Sequence, residues 1–229
     1  MDEKFIDVKD EERAQAVKNA LRLLDDAAYL ADAERYPSAY YLAVVAAEEL
    51  GKYVMIAWTD FEPDPALNNK KLKHPPKQSA FSAMLMADTL LNAFRKVVGG
   101  KVEMNAIDIL ETITSSALEK DLGRTVLKEI ETDDHTALFA QSIYSGWQKM
   151  KHLALYSDVD PVLDRPPLSV TERELRLMID AVERVLEMLH QGNMHVELAL
   201  GVRKHYERPE VQAEIKELRN KDGISKARK

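Results

Sequence analysis

A helix that must be buried yet carries charge is the strongest constraint in this chain. Residues Ala39 to Lys52 read Ala-Tyr-Tyr-Leu-Ala-Val-Val-Ala-Ala-Glu-Glu-Leu-Gly-Lys. Tyr40, Val44, Ala47, Gly51, Val54 and Trp58 recur at helical spacing and mark a stripe that faces a core. Glu48 lies on that stripe, one turn after Val44 and one turn before Gly51. Lys52 follows Glu48 by one turn, in the orientation that favours an ion pair. Burying a charge is costly unless it is paired and hydrogen-bonded. Other polar groups must therefore approach this helix, for structure or for chemistry.

The rest of the chain points to helices packed on helices. It has 229 residues, 45% of them hydrophobic, enough for a sizeable core. Eight Gly and nine Pro are few, and they cluster between long periodic runs, the pattern of an all-α protein. A net charge of −7 argues against a general nucleic-acid coat but leaves room for a local basic site. Cysteine is absent, which excludes disulfides and thiolate chemistry. The opening Met-Asp-Glu-Lys-Phe lacks a signal-peptide pattern, and no apolar run approaches the roughly 18 residues needed to span a bilayer. A cytoplasmic protein without membrane contact is expected.

Along the chain, a first helix is expected from Asp10 to Asp32 and a second, antiparallel to it, from Pro37 to Thr59. Phe61 to Pro76 reads as a loop with a short basic run. A third helix over Lys77–Val98 carries Phe81, Met84, Leu85, Asp88, Leu91 and Phe94 on or near one face, and Gly99-Gly100 ends it. Residues 101–131 read as a helical insertion, and Thr136–Met150 as another core helix. Thr171 and Glu174 form a capping-box pattern that opens a long helix reaching Leu200 and ended by Gly201. Residues 1–201 are expected to form a single helical bundle, with 202–229 as a charged tail containing a short helix from Pro209.

Three separated pieces carry a family resemblance: Glu48-Glu49-Leu50-Gly51-Lys52, then His74-Pro75-Pro76-Lys77, then Lys151 through Tyr156-Ser157-Asp158. With Asn19-Ala20-Leu21-Arg22-Leu23-Leu24 as an opening, this ordered set resembles the AbiV-type abortive-infection proteins of the HEPN superfamily. Pro75 and Pro76 depart from the usual His-Lys-x-Lys segment, Lys151 stands where an arginine is typical, and Ser157 where valine is. The resemblance implies an antiparallel HEPN-like helical bundle with additional helices, and a phage-defence role that arrests growth or translation. It also brings in metal-independent ribonuclease chemistry, a phage-encoded activator and a homodimer as expectations.

The superfamily's nuclease signature is an Arg followed four to six residues later by a His. The His moves protons at the ribose hydroxyl and leaving group, and the Arg stabilises charge on phosphorus. Arg184 and His190 have that spacing, but six residues on an ideal helix put them about 120° apart, off a common face. A solvated Arg and a flanking His are the plainer reading of this pair.

Glu48, Glu49, Lys52, His74, Lys77, Lys151, His152, Tyr156 and Asp158 form a second candidate set, expected to converge at one end of the bundle. In the functional reading, His74 or His152 carries a proton and the lysines contact phosphate. In the structural reading, the set is an ion-pair network that fixes helix register, and this is preferred because such networks need no catalysis. A metal site is disfavoured by the interleaved lysines, and no cofactor is expected. Most of Tyr29, Tyr36, Tyr40, Tyr41 and Tyr53 are expected in the core or at its rim, with base stacking the lesser reading, and His195 and His205 on the surface. Three functions follow: a defence effector that binds a protein or RNA target of the translation machinery, a metal-independent endoribonuclease toxin, and an interaction bundle without catalysis.

Overall fold

The computed structural model describes residues 11–61, 73–98 and 170–221, together with Lys128, Thr132 and Lys151. The expected helices within 101–150, and His152, Tyr156 and Asp158, lie outside the described residues. Every element that is described is a helix: α1 (Glu11–Asp32), α2 (Tyr36–Phe61), α3 (His74–Val98), α4 (Glu172–His190), α5 (Met194–Tyr206) and α6 (Pro209–Lys221). The all-α expectation holds.

The sequence explains why α2 is the centre. Its alanines, Ala39, Ala43, Ala46, Ala47 and Ala57, are buried alongside Val44, Leu50, Val54 and Trp58, so it is covered on several sides. Helix α1 lies antiparallel to it: Arg13 bonds Asp60 at 2.6 Å, and Asn19, two turns further along α1, bonds Glu49 at 3.2 Å. Helix α3 adds Phe81, Met84, Leu85, Leu91 and Phe94 to the same core. Helix α4 adds Leu175, Met178, Val182 and Val185, and α5 adds Val196, Leu198 and Ala199. Trp58 ties α2 to α5 by donating from Nε1 to the Val196 carbonyl at 3.0 Å. Small residues let these helices close tightly. At Gly51, a Cβ would lie 1.9 Å from the Lys77 carbonyl oxygen, so the backbones of α2 and α3 meet there.

Three boundaries differ from the sequence reading. Helix α3 starts at His74, not Lys77. Pro75 and Pro76 sit in its first turn, where the backbone N–H groups have no helical acceptor and their loss costs nothing. The capping box at Thr171 and Glu174 forms as expected, with the Thr171 side chain accepting from the Glu174 N–H and the Glu174 carboxylate accepting from the Thr171 N–H. The helix it opens, however, does not run to Leu200. It stops at His190, and the chain turns through Gln191, Gly192 and Asn193, with Gly192 at φ 105°. Gly201 does not end a helix either: α5 runs through it to Tyr206, so residues 201 and 202 share one helix.

Candidate functional site

Glu48 points into the cleft between α2 and α3 and is only 2% exposed. Four polar contacts meet its carboxylate. His74 Nδ1 lies 2.6 Å from Oε2, and Gln78 Nε2 donates to Oε1 at 2.8 Å. Lys151 Nζ donates to both oxygens, at 3.1 and 3.0 Å. His74 and Gln78 are one turn apart on α3, so the first two turns of that helix present both groups to the same carboxylate. The position near the α3 N-terminus adds the favourable end of the helix dipole.

The protonation pattern follows from geometry. Lys151 Nζ also lies 3.3 Å from His74 Nδ1. Nδ1 cannot donate to Glu48 and accept from Lys151 at once. The 2.6 Å contact assigns the Nδ1 proton to the Glu48 bond, and Lys151 spends its protons on the carboxylate. In that tautomer Nε2 is the ring nitrogen with the lone pair. His74 is half-exposed, at 50%, while Lys151 is 9% exposed and packs 5.7 Å from the centre of the Tyr41 ring, a cation–π contact. A buried carboxylate thus fixes the ring of a solvent-accessible histidine.

The remaining lysines take other partners. Lys77 pairs with Glu49 at 3.6 Å, and Glu49 also accepts from Asn19. Lys52 is not linked to Glu48, as its spacing suggested, but reaches Glu12 on α1 at 3.9 Å. Glu48 is committed to the α3 side of α2, whereas Lys52 extends toward α1. The structure therefore brings together Glu48, His74 and Lys151 and places Glu49 with Lys77, while Lys52 belongs to the α1–α2 seam. Gln78 was missed by the sequence reading; its place one turn after His74 was the available signal.

Arg184 and His190 lie six residues apart on α4. His190 is exposed, and Arg184 is bound to Asp88, donating from Nε at 2.8 Å and again from its terminal nitrogen. Asn92 adds a bond to the same Asp88 oxygen at 3.0 Å. His195 was expected on the surface but is 1% exposed, with Nε2 at 3.5 Å from the other Asp88 oxygen. It is drawn inside because α5 turns back onto α3 at Gly192, which a continuous helix would not do. Tyr40 is buried and Tyr36, Tyr41 and Tyr53 are partly so, but Tyr29 projects from α1 at 76% exposure. Burial raises the Tyr40 hydroxyl well above its ordinary range, helped by the nearby charge of Glu174, so it stays protonated.

Burial alone would raise the Asp88 pKa, but the contacts with His195 and Arg184 outweigh it and hold the carboxylate below its usual value. A lowered folded-state value means stability that is present above the unfolded value of about 4 and lost as the pH falls through the folded one. Asp88→Asn should therefore melt below the unsubstituted protein at neutral pH, and the gap should narrow as acid titrates the native carboxylate. A gap that stays constant down to about pH 2 would contradict this.

Among the described residues, no group of three His, Cys, Asp or Glu side chains is placed to hold a metal ion, and no helix is long and apolar enough to cross a membrane. The family model described as AbiV, of the HEPN class, matches residues 11–187. That match spans most of the chain, and the protein belongs to the AbiV family, a family of abortive-infection proteins with HEPN-type helical folds. No curated protein matches the chain, and no solved structure does.

Proposed function

We propose that this protein is a phage-defence effector that arrests growth or translation by binding a protein of the translation machinery, without cleaving RNA. The observation that carries this reading is the pairing of each described lysine of the cluster with its own carboxylate: Lys151 with Glu48, Lys77 with Glu49, Lys52 with Glu12. A phosphate-binding groove needs uncompensated cations, because neutralising phosphates and releasing their counterions provides most of the affinity. These lysines are committed within the protein. The cluster supports a rigid, register-fixed face more than an RNA track.

One observation favours a second reading, a metal-independent endoribonuclease. Glu48 orients His74, and an accessible imidazole whose other nitrogen is held by a carboxylate is a competent proton carrier. Incubating purified protein with total cellular RNA and a chelator separates the two. The effector reading expects intact RNA. Fragments ending in 2′,3′-cyclic phosphate, lost in His74→Ala, would establish the nuclease, since removal of a general base lowers rates by about 10²–10⁴-fold. The same cleavage lost in Arg184→Ala or His190→Ala would move the site to α4.

A further inference from the structure

Asp88 lies against both arms of the corner between α4 and α5. Arg184, from the arm before the corner, bonds one oxygen, and His195, from the arm after it, faces the other at 3.5 Å. Between them the chain turns at Gly192, whose φ of 105° L-residues rarely adopt. A Cβ on Gly192 would meet nothing within 4 Å, so the glycine is required for conformation and not for space. The arm after the corner is also held by the Trp58 bond to the Val196 carbonyl at 3.0 Å and by its buried apolar side chains, whereas Asn193, at the N-cap of α5, makes no side-chain capping bond.

The sequence across the corner is written for one helix. Leu175, Val182, Leu189 and Val196 are each seven residues apart, close to two helical turns. Met178, Val185, Gly192 and Ala199 form a second row with the same spacing, interrupted only by the glycine. Local pattern and tertiary structure therefore disagree, and Asp88 is where a polar group from each arm meets.

We infer that Asp88 is a clamp that holds α4 and α5 bent, and that release of the clamp lets residues 172–206 extend as one straight helix. This is a conformational device in the fold, independent of how the Glu48 cluster is read. Arg184 alone could bind Asp88 in either form, but His195 can face it only when the corner is folded. Extension would carry His195, Val196 and Ala199, all buried in the bent form, off α3.

The absence of cysteine makes the test direct. Exposed Glu183 and Lys204 are replaced by Cys in the full chain, spin-labelled, and the inter-label distance is measured by pulsed electron resonance. A straight helix places these positions about 32 Å apart along its axis, and a bent one brings them closer. Asp88→Asn in this background is expected to add a population near that length that the unsubstituted clamp lacks. A folded Asp88→Asn protein with an unchanged distance distribution overturns the inference. Should Asp88→Asn fail to fold, His195→Leu decides, because it keeps Arg184 on Asp88 and removes the imidazole that faces the carboxylate from the second arm. The longer population in His195→Leu sustains the clamp, and a distribution identical to the parent's overturns it.

Discussion

Replacing Glu48 with Gln is expected to lower the melting temperature by about 6–20 °C, since removing one member of a buried pair typically costs about 3–5 kcal/mol and a domain of this size shifts by about 2–4 °C per kcal/mol. The reason is what remains behind. Lys151 is 9% exposed, and its ammonium finds both oxygens of Glu48 and little water. An amide oxygen in the same place accepts one bond but carries no charge, and the amide nitrogen opposes the donors of Lys151 and Gln78. Glu49→Gln is the control. Glu49 is less buried than Glu48 and its partner Lys77 is 3.6 Å away, beyond hydrogen-bond distance, so its loss is expected to cost less. Thermal melts of the two variants side by side check this, and equal, small shifts would show that Glu48 is not the buried centre of the network.

Gly51→Ala is expected to destabilise the protein by about 1–3 kcal/mol or more, the range for forcing volume into a packed contact. On an exposed helix the same change stabilises by about 0.5–1 kcal/mol, so the sign itself is diagnostic. Here the new Cβ would lie 1.9 Å from the Lys77 carbonyl oxygen. Neither partner is a flexible side-chain end, so α2 and α3 must move apart. That movement would also separate Glu48 on α2 from His74 and Gln78 on α3. The measurement is a melt combined with the ¹⁵N and ¹H shifts of the His74 ring. A stabilised protein with an unperturbed ring would contradict the close approach of the two backbones.

What could be read from the sequence was what one helix records about itself. The Tyr40–Trp58 stripe placed Glu48 inside, because a period of 3.6 residues fixes which side chains share a face. The capping residues Thr171 and Glu174 were legible for the same local reason. What escaped were the decisions made between helices. The spacing of Glu48 and Lys52 suits an ion pair, but α3 offers Glu48 better partners and α1 offers Glu12 to Lys52. Gln78 gave no charge signal, and its role appears only once α3 begins at His74. Asp88 was visible among apolar residues of one face, yet its partners Arg184 and His195 come from helices about a hundred residues downstream. The Gly192 corner was hidden because the apolar rows continue in phase on both sides of it.

The most direct test of the proposed mode of action is a cell-free translation reaction from phage-infected bacterial extract, to which purified protein is added while the template and ribosomal RNA are followed on the same samples. The infected extract supplies any phage-encoded activator. Binding to the translation machinery without chemistry predicts that synthesis falls in proportion to added protein, that all RNA stays full length, and that His74→Ala inhibits as well as the parent. Loss of synthesis accompanied by RNA fragments with cyclic phosphate ends, both abolished by His74→Ala, would contradict it.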